Sequence, residues 1–305
     1  MVKRIDLPKR RSPAALTVTI MIQFAKPSAD LFIPDNSEPS PALERTTHLG
    51  VGAHQDDLEV MALHGILACY KQPKQWFGGV TVTNGAGSSR ANEYADYTDE
   101  QMQVVRAEEQ RKAAVVAEYA FMAQLDYPSS AVKEAGNSDY ADDLRTILAA
   151  ARPQVVYTHN LADKHDTHVA VVVPLIRALR ELPADDRPAE VYGVEVWRDL
   201  NWLLNDEKVL LNLANRPNLV RALISIFDSQ ISGGKRYDLA LEGRLRSNAT
   251  FFDSHAVDEM NLASYAMDLK PLVDDSSLDI AEYVNGYIER FREDVRSRVN
   301  RFTSD

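Results

Sequence analysis

The chain has 305 residues, 45% hydrophobic and 26% charged, a composition that supports a sizeable core in a water-exposed globular fold. A formal net charge of −11 argues against nucleic acid or an anionic membrane surface as a partner, because either requires a basic face. No apolar run approaches the roughly 20 residues that span a bilayer, and the single cysteine, Cys69, cannot form an internal disulfide and reads as a buried core thiol.

The chain opens "MVKRIDLPKRRSPAALTVTIMIQFAKPSA", basic and then mildly apolar, without a clear small-x-small cleavage site. A leader dispensable for folding, with a natural start at Met21, and a signal peptide both fit this segment; a cytoplasmic protein is expected. Residues 48–53 form a short apolar strand, and 58–70 continue as a helix. "GVTVT" at 79–83 is a β-branched strand closed by the turn signal Asn84-Gly85. Residues 98–123 read as a long helix capped by Thr98, followed by a short strand at 124–127. A helix over 138–151 opens on Ser138 and Asp139. "QVVYT" at 154–158 is a strand, 167–182 a helix, and "EVYGVEVW" at 190–197 a further strand. Beyond Trp197 the pattern turns helical and less regular, ending in an amphipathic stretch over 278–302.

Strands alternating with helices predict an α/β fold: a three-layer, Rossmann-like sandwich with a mainly parallel sheet and a more helical C-terminal region. Residues 1–45 read as an N-terminal extension. Residues 46–305 read as one domain, with a motif-bearing core at 46–200 and an elaboration at 201–305.

In parallel sheets ligands bind beyond the carboxyl ends of the strands. The unusual polar runs all sit there: "HQDD" after the first strand, "NGAGSSR" after the second, and "HNLADKHDTH" after "QVVYT". Four of the seven histidines fall in the first and third of these loops. The set comprises His54, Asp56 and Asp57 with His159, His165 and His168. Adjacent carboxylates repel and are costly to bury unpaired, so a cation is expected among them. Two histidines and a carboxylate with an open fourth position is a catalytic zinc arrangement, and a spare carboxylate supplies a base.

"AHQDDLE", "TNGAGSSR", "RAEEQRKAA" and "THNLADKHDTHVAV", in this order, resemble the LmbE-like, or PIG-L, family of zinc-dependent N-acetylglucosamine deacetylases, over residues 46–197. The resemblance implies one Zn2+ per chain on His54, Asp57 and His168. It implies Asp56 as general base toward the attacking water, and His165 as the group that stabilises the oxyanion and helps protonate the departing amine. Asn84 and Arg90 would meet sugar hydroxyls. Arg106 and Glu109 would form an internal ion pair bracing the site, with Glu59 another member. Two departures stand out: Gln55 replaces the family's usual proline, which loosens the turn, and the carboxylate of the second histidine motif moves to Asp166. Asp166 then reads as a helix cap, and Asp163 as the alternative partner that orients a ligand.

The implied reaction is hydrolysis of the acetamide of an N-acetylglucosamine-type substrate, a small amino-sugar, by a metal-dependent amide hydrolase. The alternatives are an amidase acting on a non-sugar or thiol-sugar conjugate, a non-haem iron oxygenase using the same ligand set, and an inactive sugar-binding protein. His159 is either an outer member of the site or a strand-end residue bonded to backbone. His64 reads as a packed side chain. His255 would reach the site from a neighbouring subunit of a homo-oligomer or serve a surface role. Trp197 and Trp202 would floor a sugar pocket or pack in the core. The "KRYDLALEGRLR" run reads as a solvated loop and helix face.

Overall fold

The computed structural model describes residues 22–134, 136 and 139–303. The leader through Met21 and the Ser138 cap lie outside the described residues. The apolar runs pair into one eight-stranded sheet: β1 (Asp30–Phe32), β2 (His48–Gly52), β3 (Phe77–Thr83), β4 (Phe121–Tyr127), β5 (Val155–His159), β6 (Glu190–Val194), β7 (Val209–Asn212) and β8 (Ala263–Asp268), in the order β1-β4-β3-β2-β5-β6-β8-β7. The strands from β4 through β6 are parallel. An antiparallel β1 closes one edge, and the antiparallel pair β8–β7 closes the other.

β2, β3 and β5 are buried along their whole length, as strands with helices on both faces must be. Alternate residues serve opposite faces. Val156 packs with the helices Asp139–Ala151 and Asp166–Glu181, whereas Val155 and Tyr157 pack with Leu58, Ile66 and Leu223 on the other side. The chain is therefore a three-layer α/β sandwich. Strand order reverses between β2 and β5, so the loops after these two strands open a crevice at their carboxyl ends.

Several boundaries differ from the sequence reading. The helix expected over 98–123 runs from Asp99 to Val116 and carries the Thr98–Gln101 capping box. At Glu118 the backbone turns left-handed (φ 55°), and Ala120 donates to the Phe77 carbonyl at 2.7 Å. Pairing with β3 thus claims residues whose alanines and methionine also suit a helix. The helix expected over 58–70 breaks at Ala62 into Leu58–Met61 and Leu63–Cys69. The C-terminal region supplies β7 and β8 as well as helices, and residues before 46 supply β1. Ile22, Phe24, Leu31 and Ile33 pack against the core from that N-terminal stretch. Cys69 is buried and unpaired. Among the described residues no helix is long and apolar enough to cross a membrane.

Candidate active site

At the end of β2 the chain must turn sharply, and the strain falls on Asp56, whose φ of +87° is left-handed. Its neighbours hold it there. The Asp56 N–H donates to Gln110 Oε1 at 3.1 Å, and Gln110 Nε2 donates to Glu59 Oε1 at 2.9 Å. Arg106 donates to the Gln55 carbonyl at 2.5 Å and lies 3.6 Å from Asp56 Oδ2. Gln55 braces the turn rather than loosening it, because its buried amide donates to the Thr83 carbonyl at 3.1 Å and to Gln124 Oε1 at 3.2 Å. Gly85, at φ +73°, passes so close that an added Cβ would lie 2.5 Å from Gln55 Oε1.

The structure gathers the imidazoles around Asp57. Its Oδ2 accepts from the His54 N–H at 2.7 Å and lies 3.2 Å from His54 Nδ1, while its Oδ1 is 3.5 Å from His168 Nε2. Asp163 fixes the His168 ring: its Oδ2 is 3.1 Å from His168 Nδ1 and also accepts from the Trp197 N–H at 3.2 Å. That bond leaves His168 Nε2 buried, facing Asp57 Oδ1, with no hydrogen-bond partner. Two overlapping sets have ligand atoms within 4.8 Å of one another: His54/His165/His168 and Asp57/His159/His168. His159 belongs less to a cation than to the fold, since its Nε2 accepts from the Ala53 N–H at 2.9 Å and ties β5 to the end of β2. A buried imidazole whose free nitrogen lacks a partner, beside an ionised carboxylate, fits a divalent metal.

The two adjacent aspartates differ. Burial opposes ionisation of Asp57, but His168, His159 and His54 outweigh it and hold the carboxyl well below its ordinary range. Burial pushes Asp56 well above that range; Arg106 opposes the rise, and Asp57, Glu59 and Glu109 add to it. Burial likewise lowers His54 and His168, leaving neutral rings with lone pairs to offer. His165, stacked on His168 with ring centroids 4.5 Å apart, is brought down to about 4 by burial and by its imidazole neighbours. At neutral pH that leaves it an uncharged ring.

Several expected roles move. Arg106 and Glu109 form no ion pair among the described residues. Arg106 serves Asp56, the Gln55 carbonyl and Ser88 Oγ, whereas Glu109 accepts from the Ser229 N–H at 2.7 Å and from Ser229 Oγ at 2.6 Å. Glu59 is fully buried, accepts from Tyr119 Oη at 2.7 Å, and is raised by burial to about 7. Arg90 is spent on Asp99 and on the carbonyls of Tyr97 and Ala86, away from the crevice. Asn84 Oδ1 accepts from the Ala86 N–H at 3.2 Å, an Asx turn that shapes the loop. Asp166 is exposed at the first position of the helix Asp166–Glu181; the cap position is His165, with no side-chain bond. His255 is exposed in the 252–262 connection and does not line the crevice. Trp202 packs edge-on against Phe291 instead of flooring a pocket.

The crevice is a cavity of about 630 Å³ with His54, Asp56, Asp57 and His165 on its surface. Arg106, the loop residues Gly85, Gly87, Ser88 and Ser89, Trp197, Tyr237 and the lysines 133, 164 and 235 are among the other residues of the wall. Sequence reasoning pointed to the 85–89 loop and to Trp197 but passed over Lys133, Gln230, Lys235 and Tyr237. Lys235 and Tyr237 lie in the "KRYDLALEGRLR" run read as solvated; only their approach to Trp197 in space marks them.

Residues 49–179 match the PIG-L family, described as GlcNAc-PI de-N-acetylase. None of the curated proteins matches the chain in sequence. In structure it is similar to the N,N'-diacetylchitobiose deacetylase from Pyrococcus horikoshii, with a TM-score of 0.59 and 14% identity over 79% of this chain and 90% of that one. The A40926 pseudoaglycone deacetylase Dbv21 is also similar (TM-score 0.52, 14% identity, 73% of this chain and 97% of that one). So is GalB, the 4-carboxy-2-hydroxymuconate hydratase from Pseudomonas putida KT2440 (TM-score 0.54, 14% identity, 73% and 95%). At such identities the likeness is one of fold, and this fold carries more than one chemistry. Residues 49–179, the stretch that holds the histidine–aspartate loops, match the PIG-L family, and the surrounding sheet has the fold of the LmbE-like deacetylases.

Proposed function

We propose that the chain is a metal-dependent N-deacetylase that hydrolyses the acetamide of an N-acetylglucosamine-type substrate, with zinc held by His54, Asp57 and His168. One observation carries this reading: His168, its Nδ1 committed to Asp163, turns an unpartnered buried Nε2 toward an ionised Asp57 beside the open cavity. Zinc, when bound, polarises the acetamide carbonyl and acidifies water, the Lewis-acid chemistry that amide hydrolysis needs. The choice of zinc rests on the neutral imidazoles and the carboxylate, a donor set of the kind zinc hydrolases use.

Asp56 is the general base. Burial raises its affinity for a proton, and Arg106 restrains that rise, so the carboxylate is poised to take a proton from water attacking the carbonyl carbon. His165 lines the cavity beside His168, placed to take up the proton that Asp56 removes from water and hand it to the departing nitrogen. The carbon gains the water oxygen, the C–N bond breaks, the nitrogen leaves as the protonated amine, and acetate remains. The family match and the two deacetylase neighbours support this reading. The test is acetate release by zinc-loaded protein from a panel of N-acetylated sugars, beside Asp56→Ala. Release that needs both zinc and Asp56 bears the reading out. Zinc bound stoichiometrically without release from any sugar overturns it.

A further inference from the structure

The amphipathic stretch that closes the sequence forms the helix Ile280–Thr303. Its first two turns are anchored: Ile280, Tyr283, Val284 and Tyr287 pack against the core, and Tyr283 Oη donates to the Asp268 carbonyl at 2.7 Å. Arg290 pairs with Glu207, and Phe291 meets Trp202 edge-on. From there the helix continues for three more turns without a buried side chain. Of the twelve large apolar side chains exposed among the described residues, five lie here: Ile288, Phe291, Val295, Val299 and Phe302. Steps of three and four residues put all five on one stripe, on which Val295, Val299 and Phe302 are 43%, 54% and 82% exposed. A helix of this length is marginal in water unless its apolar face is packed. Exposed ion pairs along the helix, Glu293 to Arg296 at 3.9 Å and Asp294 to Arg298 at 2.9 Å, contribute little in its place.

The spacing of the stripe identifies its partner. Val295 is the midpoint: Phe291 and Val299 lie four residues either side of it, Ile288 and Phe302 seven either side. A pattern that reads the same in both directions suits a two-fold axis across the helix, because an isologous contact matches a surface with itself. We infer that this stripe is a dimer seam, in which two copies of the chain pair their last helices antiparallel about Val295. Phe291 of one copy then meets Val299 of the other, and Phe302 meets Ile288, so each layer joins one ring to one aliphatic side chain. Charge selects the direction. Residues 296–302 hold Arg296, Arg298 and Arg301 and no acid, whereas 289–294 hold Glu289, Glu293 and Asp294 beside two arginines. Parallel pairing stacks the basic ends on each other. Antiparallel pairing lays each basic end over the half that holds the acids, and on one edge of the stripe it brings Arg298 beside Asp294 of the second copy. On the other edge Arg292 and Arg296 are neutralised along their own helix by Glu289 and Glu293. None of the residues lining the cavity comes from this helix, so the inference does not rest on the proposed deacetylation.

Sedimentation velocity on the full chain tests it. A seam of about 24 Å belongs with the small, weak interfaces, so the series should run from about 1 to about 200 μM. The expected result is a mass that rises from one chain toward two. Val295→Glu/Val299→Glu buries like charges in the seam and should hold the mass at one chain throughout, with Tm within about 2 °C of the unaltered chain because both sites are exposed. Val295→Leu keeps the stripe apolar and should still associate. Direction is read by mild oxidation, since Cys69 is buried. Val295→Cys should crosslink to itself, Phe302→Cys alone should not, and Ile288→Cys mixed with Phe302→Cys should. A single-chain mass at every concentration overturns the inference and leaves the stripe to another occupant. A dimer that survives Val295→Glu/Val299→Glu overturns it by placing the contact elsewhere, and Phe302→Cys crosslinking to itself as fast as Val295→Cys overturns the antiparallel seam.

Discussion

Asp163→Asn should weaken zinc binding more than its small change in shape suggests. Asp163 is an acceptor on both oxygens: Oδ2 faces His168 Nδ1 at 3.1 Å and the Trp197 N–H at 3.2 Å, and Oδ1 faces the His165 N–H at 3.2 Å and the Arg198 N–H at 3.4 Å. An asparagine places an NH2 group against one of these donor sets. Turned toward His168, the amide stabilises the tautomer with its proton on Nε2, and the lone pair that faces Asp57 is lost. Turned the other way, it confronts the backbone N–H groups of His165 and Arg198 and strands two donors. Outer partners of metal-bound histidines are worth about 10–100-fold in metal affinity, or roughly 1.4–2.7 kcal/mol. A stranded buried donor adds about 1–3 kcal/mol. The expected result is therefore a loss of zinc affinity of about 100-fold, read by competition with a chromophoric chelator at neutral pH, with Tm followed on the metal-free protein. Zinc affinity within about twofold of the unaltered chain would refute the assignment of His168 Nε2 as a ligand atom.

Gln110→Leu removes the acceptor that holds the Asp56 N–H and the donor on Glu59, so a stability loss of about 1–3 kcal/mol by urea unfolding is expected. Its kcat should fall while zinc content stays stoichiometric, and an unchanged kcat would count against a positioning role. Arg106→Gln removes the positive charge that restrains the rise of Asp56, so the acid limb of the pH–rate profile should move to higher pH; a shift to lower pH would contradict the argument. His48 and His64 are both lowered from 6.5 to about 4, by burial first, with His64 also repelling the proton on His48. Each therefore contributes stability that is present above about pH 6.5 and lost as pH falls through about 4, roughly 3 kcal/mol at most per imidazole. His64→Gln should flatten the fall in Tm between those values, and an equally steep fall would show that other groups set it.

The strand-end loops were legible because each couples a β-branched or apolar run to residues that a core does not accept unpaired. "HQDD" and "HNLADKHDTH" announce themselves by that contrast, and the parallel-sheet rule brings them together before any coordinates are known. The supports were not legible. Gln110 sits mid-helix in a charged, polar run, and its bond to the Asp56 N–H exists only once the left-handed turn forms. Arg106 and Glu109 are one helical turn apart, which made a mutual ion pair look natural. The loop carbonyls and Ser229, each arriving from a distant segment, satisfy them instead. Residues 121–123 kept a helical composition yet became strand, because pairing with β3 and burial of Phe121, Ala123 and Leu125 exceed a weak local preference. The lysines of the cavity carry no pattern at all in one dimension.

What separates the proposed metal ligand from the proposed base in "HQDD" is surroundings, since the two side chains are chemically identical. Asp57 points among three imidazoles, each stabilising its charge, and accepts the His54 N–H, so it stays ionised and rigid. Asp56, turned the other way by its positive φ, faces Glu59 and Glu109 with one guanidinium 3.6 Å away to restrain them. The left-handed residue is therefore the device that divides the labour: with ordinary φ, both carboxylates would share one environment and compete for one charge. Pushing the proton affinities of neighbouring acids apart is how a site obtains a fixed anion and a working base from the same residue type. The strain at Asp56, held by Gln110 and Arg106, follows from that requirement.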